Sequence, residues 1–292
     1  MSIAEKFKNF NKNIKILDDD KWTISYRYKQ ITRRLNLDFW DWNCDISHSL
    51  YVGSYGRGTA IHVSDIDILF QLPYEVYQQY NNYKGNGQSA LLQAVKESLK
   101  KTYSTSYIKG DGQVVGINFN DGISFEIVPC FLNDNGSFTY PDTHNGGSWK
   151  VTNPKPEIEE IKDKDKEWNG NLKNLCRMAR AWKDEWDVPM GGLLIDTLAY
   201  NFLKNWEYID KSYLYYDWMV RDFFQFLANQ DENQDYWRAV GSGQYIWRKG
   251  KFEYKAKQCY KLVLDAMVYE IDKFEYSANK KWKEIFGNKF TG

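Results

Sequence analysis

Residues 51–72, YVGSYGRGTAIHVSDIDILFQL, decide the fold. Their pattern predicts a short apolar strand, a glycine-serine turn opening a helical turn, a loop, and a second strand carrying Asp65 and Asp67. Side chains alternate between the two faces of a strand, so residues two positions apart share a face. We therefore expect Asp65 and Asp67 to project to one side while Ile66 and Ile68 point into the core.

This pair of carboxylates predicts one half of a magnesium site. Mg²⁺ prefers hard oxygen ligands and usually takes one or two protein carboxylates together with the phosphates of a substrate. Gly53 and Ser54 predict the other half of the site. Backbone N–H groups at a helix start, a hydroxyl group and the positive end of the helix dipole all attract an anion such as a triphosphate.

Composition limits the classes of function. Lys+Arg and Asp+Glu number 39 each, so the formal net charge is zero, which favours a small anionic ligand in a local pocket over strong nucleic-acid binding. The four cysteines form no CxxC pair, which argues against a zinc site and for reduced thiols. No apolar run approaches the ~18 residues of a membrane span. We expect a soluble cytoplasmic protein with no membrane partner, whose oligomeric state the sequence leaves open.

Apolar residues at helical spacing predict the first helices. A short amphipathic helix is expected near the N-terminus, with its apolar side formed by Ile3, Phe7, Phe10 and Ile14. A longer helix is expected from about 21 to 42, with Ile24, Tyr28, Ile31 and Leu35 on its apolar side. Further helical segments are expected at 74–80 and 89–103.

From residue 104 the periodicity becomes that of strands. The dipeptides Asp111-Gly112 and Asp121-Gly122 separate three strand-like runs, the last of which is ISFEIVPCFL at 123–132. Such dipeptides supply the positive φ angles that tight turns need. The sequence therefore predicts three strands joined by hairpins.

Glu126 lies within the last of these runs, between Phe125 and Ile127. A carboxylate in an apolar run costs free energy unless it is paired or bound to a metal. The ordinary alternative is an isolated glutamate on the solvated face of an edge strand. Beside a pair of aspartates on the same face of a neighbouring strand, however, Glu126 is expected to be a third metal ligand.

The chain is expected to divide near residue 155. Residues 133–157 are rich in turn-forming residues and are expected to be irregular. The predicted domains are 1–155, an α+β lobe that includes the long N-terminal helix, and 156–292, a helical lobe. Helices are expected at about 157–168, 170–187, 191–206, 212–229, 253–277 and 279–286, and a mobile loop at 229–243. The helix at 253–277 is expected to bury Leu262, Leu264, Met267 and Ile271.

Three motifs together resemble a known superfamily: GSYGRGTAI at 53–61, SDIDI at 64–68 and FEIVP at 125–129. They resemble the polymerase-β-type nucleotidyltransferases and, among these, the bacterial cGAS/DncV-like nucleotidyltransferases, relatives of the oligoadenylate synthases. The resemblance also rests on RAWK at 180–183. It implies an α+β fold in which a polymerase-β-like lobe, a mixed sheet with flanking helices, packs on the helical lobe, with the active site in the cleft between them.

The same resemblance implies an activity. Such enzymes join nucleoside triphosphates into a cyclic di- or oligonucleotide, release pyrophosphate, and pass the product to an effector protein as a second messenger in antiphage defence. Two Mg²⁺ ions, or Mn²⁺ in their place, would be held by Asp65, Asp67 and Glu126.

Nucleotide contacts are implied for six residues: Gly53, Ser54, Arg57, Thr59, Arg180 and Lys183. An Arg-x-Trp pattern such as Arg180 and Trp182 is associated in this family with pyrimidine selection, so the sequence leans toward a uridine-containing product. The alternatives are a core position for Trp182 and a solvated surface position for Lys183.

Two other classes of function stay open. One is a nucleotidyltransferase that modifies a protein, an RNA end or a small-molecule acceptor. The other is a non-catalytic nucleotide-binding or RNA-binding relative, which would not need Asp65, Asp67 and Glu126 intact.

Overall fold

A computed structural model describes residues 1–292. Contacts within the chain divide it into two compact units. The sheet unit comprises Ile16–Gly56 and His62–Lys155, and the helical unit comprises Met1–Lys15, Arg57–Ile61 and Pro156–Gly292. The expected α+β class with a mixed sheet is confirmed.

Eleven α-helices and nine strands follow one another along the chain. The helices are α1 (Ile3–Asn13), α2 (Asp18–Phe39), α3 (Gly53–Gly56), α4 (Tyr74–Asn81), α5 (Gly87–Lys100), α6 (Pro154–Glu167), α7 (Asn171–Glu185), α8 (Gly192–Leu203), α9 (Tyr216–Ala228), α10 (Glu253–Ile271) and α11 (Glu275–Phe286). The strands are β1 (Ser49–Tyr51), β2 (Ile66–Gln71), β3 (Tyr107–Asp111), β4 (Val114–Asn118), β5 (Ser124–Leu132), β6 (Phe138–Asp142), β7 (Ser148–Thr152), β8 (Tyr236–Arg238) and β9 (Tyr245–Trp247). None of the helices combines the length and apolarity needed to cross a membrane.

The sheet unit is built on one seven-stranded mixed sheet. Its main strand order is β1-β2-β5-β4-β3, and β6 pairs with the end of β5 and with β7. Only β2 and β5 run parallel to each other, while every other pair is antiparallel. Because β2 and β5 are parallel, the chain between them crosses from one end of the sheet to the other, through α4, α5 and the β3–β4 hairpin.

One apolar core joins the sheet to α2 and α5. The predicted apolar side of α2 is confirmed, since Ile24, Ile31 and Leu35 are fully buried. The two predicted hairpin turns are also confirmed. Gly112 and Gly122 have φ angles of +58° and +84°, a region that glycine enters without steric cost.

The expectation of an irregular segment at 133–157 is wrong. This part of the chain forms the hairpin β6–β7, in which Pro141 is paired with Trp149. The hairpin extends the sheet from the end of β5, where Phe131 pairs with Thr139. Its strands are only five residues long, and Pro141 and Asp142 are residue types that are common in turns, so the sequence pattern indicates turns here.

The helical unit includes α1, although the predicted boundary assigned residues 1–155 to the other lobe. Phe7 lies 5.1 Å from Trp282 and 5.5 Å from Phe290, measured between ring centroids. Phe10 lies 4.7 Å from Phe286. Both phenylalanines are fully buried, so the apolar side of α1 is covered by residues from the far end of the chain.

Helix α10 differs from its prediction in length and in its buried side. It ends at Ile271, and α11 starts at Glu275. Leu262 and Met267 pack against the core as predicted, but Leu264 and Ile271 are exposed. The fully buried apolar residues of the helix are Ala256, Cys259, Val263 and Ala266. Small side chains on this face allow close packing between helices, which a search for large apolar residues does not detect. The predicted mobile loop at 229–243 contains β8, part of a two-stranded hairpin with β9.

We expect Phe7→Ala to lower the free energy of unfolding by about 3–5 kcal/mol, because it removes a fully buried ring and leaves a cavity. Chemical denaturation followed by circular dichroism would measure the change. The matched control is Phe274→Ala in the same unit, because that side chain is 59% exposed and its loss should change stability by less than about 1 kcal/mol. Equal effects of the two substitutions would contradict the packing of α1 described above.

Candidate active site

Two predicted metal ligands lie side by side on the parallel strands. Asp67 of β2 is the register partner of Glu126 of β5. Their neighbours Ile66, Ile68 and Phe125 are buried in the core. Because side chains alternate along a strand, Asp67 and Glu126 project together from the opposite face of the sheet.

Asp65 reaches the same region in a different way from the one predicted. It precedes β2, and its φ of +63° is left-handed, so the alternation of a strand does not apply to it. Its backbone N–H donates a 2.8 Å hydrogen bond to the Ser124 hydroxyl. This bond ties Asp65 to the residue at which β5 begins.

The carboxyl group of Glu126 is half-buried and forms neither a hydrogen bond nor an ion pair in the structure. Burial raises its pKa above the ordinary value, and the nearby negative charge of Asp65 raises it further. Both effects disfavour the charged form of the side chain. A bound cation would reverse both of them.

Gly53 lies directly against Asp67. A Cβ atom at Gly53 would fall 1.7 Å from Oδ2 of Asp67, and the φ of Gly53 is +59°. No other residue fits at this position without displacing the carboxylate. The backbone N–H of Val52 also donates a 2.9 Å hydrogen bond to the carbonyl of Asp67, so the Gly53-Ser54 turn and the carboxylate are held next to each other.

The donor set suits a hard divalent cation. It consists of carboxylate oxygens, which Mg²⁺ and Mn²⁺ accept as ligands. Nowhere in the chain do three His, Cys, Asp or Glu side chains converge into a ready-made metal cluster. Like charges repel one another, so bringing Asp65, Asp67 and Glu126 together costs free energy when no cation is present.

Arg57 and Thr59, which were expected to contact the nucleotide, lie in the interior of the helical unit. The Arg57 Nε donates a 2.7 Å hydrogen bond to Oδ2 of Asp196, and the Thr59 hydroxyl donates a 3.0 Å bond to the same oxygen. Arg57 is only 6% exposed and Thr59 is fully buried. Both side chains are therefore engaged inside the protein.

Arg180 is engaged in the same way. Its Nη1 donates a 2.5 Å hydrogen bond to Oδ1 of Asp196, and its Nη2 donates a 3.0 Å bond to the carbonyl of Gly192. Trp182 is fully buried, which confirms the alternative interpretation of this residue as a core aromatic. The ammonium of Lys183 lies 3.5 Å from Asp184, and both side chains are partly exposed, as the surface alternative expects.

Asp196 joins these residues, and the motif analysis missed it. It is fully buried, and burial alone would raise its pKa. The positive charges of Arg180 and Arg57 outweigh that effect and lower the pKa to about 2. The sequence does contain a signal, because Asp196 is the only charged residue in the helix GLLIDTLAYNFL, and a charge in an apolar helix needs a partner.

The whole chain resembles solved structures of one bacterial protein. Escherichia coli MS115-1 CdnC in its complex with HORMA-deltaN matches with a TM-score of 0.69 and 15% identity, over 99% of this chain and 98% of that chain. CdnC with ATP matches with a TM-score of 0.67 and 16% identity, over 99% of each chain. At these identities the likeness concerns the fold.

Two curated proteins match in sequence. A probable cyclic nucleotide synthase from Bacillus cereus (strain VD146) is 24% identical over 176 residues, which cover 57% of this chain and 51% of the relative. The cyclic AMP-AMP-AMP synthase from Acinetobacter sp. (strain ATCC 27244 / 9458) is 25% identical over 187 residues, which cover 62% and 54%. The chain thus spans about half the length of the curated relatives it matches.

A family model, the Second Messenger Oligonucleotide or Dinucleotide Synthetase domain, matches residues 1–165, more than half of the chain. This match confirms the resemblance drawn from the motifs, and the chain belongs to this family.

Proposed function

We propose that the protein is a metal-dependent nucleotidyltransferase that joins nucleoside triphosphates into a cyclic di- or oligonucleotide and releases pyrophosphate. The observation that carries the proposal is the register pair Asp67 and Glu126 beside Gly53. It brings a carboxylate pair and a glycine-serine turn together in a chain of this family.

In this proposal Asp65, Asp67 and Glu126 hold two Mg²⁺ ions, or Mn²⁺ in their place. When bound, the ions supply Lewis-acid activation of the acceptor hydroxyl and neutralise charge on the phosphates. Three carboxylates give the site a strong negative charge that attracts the cations. The half-buried, unpaired state of Glu126 supports this role, because binding a cation removes the penalty of keeping its charge there.

The glycine-serine turn would bind the triphosphate. The absence of a side chain at Gly53 lets Asp67 lie against the backbone, so the turn lies directly beside a proposed metal ligand. Ser54 adds a hydroxyl group, which donates readily to phosphate oxygens. The chain would thereby hold the triphosphate next to its own metal ligands.

The relatives support a cyclic product rather than a modified protein or RNA end. Both matched curated proteins are named as cyclic nucleotide synthases, one of them for a product of three AMP units. The expectation of a uridine-containing product rested on Arg180 and Trp182. Both side chains are engaged in the interior of the helical unit, so neither supports a preference for one base.

We further propose that the product acts as a second messenger on an effector protein in bacterial antiphage defence. The family is named for second-messenger synthesis, which supports the signalling role. The solved complex of CdnC with HORMA-deltaN supports looking for a protein partner of this chain as well.

Synthesis is tested by incubating the protein with Mg²⁺ or Mn²⁺ and all four NTPs, each labelled in turn at the α-phosphate, and then digesting with phosphatase. We expect a resistant labelled species. Asp65→Ala with Asp67→Ala should reduce it by about 10³-fold or more, because a metal site supplies several kcal/mol of transition-state stabilisation. The fold should persist, because the substitution removes mutually repelling charges.

The matched control is Asp19→Ala with Asp134→Ala, two exposed aspartates of the same unit, which should leave synthesis unchanged. If folded, NTP-binding wild-type protein gave no resistant species under any metal or NTP mixture, the proposed function would be wrong. Label transferred to an added protein or RNA instead would identify a nucleotidyltransferase of another class.

The metal site is tested by stability in a chelator. We expect Glu126→Gln to raise the melting temperature of the metal-free protein at neutral pH, on the order of 2 °C, because it removes a half-buried, unpaired charge. The folded-state pKa of Glu126 is raised, so the charged side chain destabilises the folded protein above that pKa. This destabilisation fades as the pH falls through the ordinary pKa of about 4.3. The difference between variant and wild type should therefore vanish in acid.

Asp121→Asn is the control for that measurement. Asp121 accepts hydrogen bonds of 2.9 and 2.7 Å from Arg27, so neutralising it should lower the melting temperature. Added Mg²⁺ should stabilise the wild type more than Glu126→Gln, because only the intact ligand set binds the cation fully. If the Glu126→Gln protein were less stable than wild type in the chelator, Glu126 would not be the unpaired metal ligand proposed here.

A further inference from the structure

The residues that follow the glycine-serine turn are held inside the helical unit. This segment, Arg57–Ile61, is called the anchor segment here, and it belongs to the helical unit by its contacts. Every second side chain of it is buried: Arg57 at 6% exposure, Thr59 at 0% and Ile61 at 7%. It begins directly after Gly56, the last residue of α3, so the turn that contains Ser54 continues directly into this buried segment.

Asp196 of α8 is the centre of the contacts that hold the anchor segment. Its Oδ2 accepts hydrogen bonds from Arg57, from Thr59 and from Arg180 Nη2 at 2.7, 3.0 and 3.0 Å. Its Oδ1 accepts a fourth bond from Arg180. One fully buried carboxylate therefore binds two side chains of the anchor segment and joins both to α7.

Other contacts hold the same segment from further directions. The Arg57 Nη1 lies 3.5 Å from Oε2 of Glu157, whose Oε1 accepts a 2.8 Å bond from Ser242. Arg177 donates a 2.6 Å hydrogen bond to the carbonyl of Gly58. The φ of Gly58 is +71°, and a Cβ atom there would lie 3.2 Å from Cε of Lys173. Backbone and side chains of the segment are thus both restrained.

A buried charged network of this kind is a weak source of stability. Removing charges from water is costly, and well-packed apolar residues often do as well or better. What the network supplies is directional restraint, because each hydrogen bond fixes both a distance and an angle. The restrained residues are those next to the proposed phosphate-binding turn.

We propose that Asp196 is a positioning residue that, through Arg57 and Thr59, holds the Gly53–Gly56 turn in the conformation that binds the triphosphate of the substrate. The proposal rests on the proposed function, since it concerns the same site. Asp196 itself touches no substrate in this account. Its loss should weaken the recognition of the β- and γ-phosphates in particular, and not the binding of the nucleoside.

The test compares the affinity of the full chain for a non-hydrolysable NTP analogue with its affinity for the matching nucleoside monophosphate, both in Mg²⁺. We expect Thr59→Val, which removes one hydrogen bond to Asp196 and no charge, to weaken NTP binding by about fivefold to tenfold. Its affinity for the monophosphate should stay unchanged. Asp196→Asn should have a larger effect in the same direction, and Thr59→Ser, which keeps the hydroxyl, should restore the wild-type ratio.

The matched control is Thr197→Val. Thr197 is a buried threonine of α8, the helix that carries Asp196. Its hydroxyl accepts a 3.2 Å hydrogen bond from the backbone N–H of Val240, and none of the hydrogen bonds described for Asp196 involves it. Thr197→Val should lower the stability of the protein as Thr59→Val does. It should leave the ratio of the affinities for the NTP analogue and the monophosphate at the wild-type value.

The proposal would be overturned if folded Thr59→Val kept the wild-type ratio of NTP to monophosphate affinity. An equal weakening of the binding of both ligands keeps that ratio and would overturn it too. If Asp196→Asn does not fold, the Thr59 variants decide. Wild-type protein that binds NTPs but makes no cyclic product would contradict the proposed function alone, and the affinity ratios would still decide the role of Asp196. Folded wild-type protein that binds no NTP would overturn both.

Discussion

The pairing of β2 with β5 is the interaction on which the candidate site depends. It sets Asp67 opposite Glu126, and every other feature of the site is arranged around that pair. A slip of one residue would turn Glu126 to the buried face and Phe125 to the open one. The apolar core beneath the sheet therefore fixes the face to which the carboxylates point, since Ile66, Phe125 and Ile127 are buried on the other face.

Much of the sheet unit was predictable because neighbouring residues in the sequence determine its turns and the apolar side of its long helix. The turns at Gly112 and Gly122 follow from the dipeptides that contain them, and the apolar side of α2 follows from residue spacing. The conformation of Asp65 was not predictable from strand alternation, because Asp65 lies before β2 with a left-handed backbone and donates its N–H to Ser124, a residue distant in sequence. The β6–β7 hairpin was missed because pairing with the end of β5, and not its own composition, stabilises it.

The Asp196 network shows why the nucleotide contacts were harder to predict. Arg57, Thr59 and Arg180 are residue types that bind phosphates and bases, and a motif gives the type of a residue but not its partners. A single buried carboxylate engages all three. Asp196 could have been identified as a residue in need of partners from its apolar surroundings, but the identity of those partners depends on how α7, α8 and the anchor segment pack together.

The packing of α1 has a consequence for synthesis of the protein in the cell. The apolar side of α1 emerges from the ribosome well before Trp282, Phe286 and Phe290, the residues that cover it. Phe7 and Phe10 thus lack these native partners until residues 282–290 have been synthesised. Exposed apolar surface on nascent chains promotes aggregation, so native burial of these two rings depends on synthesis of that later segment.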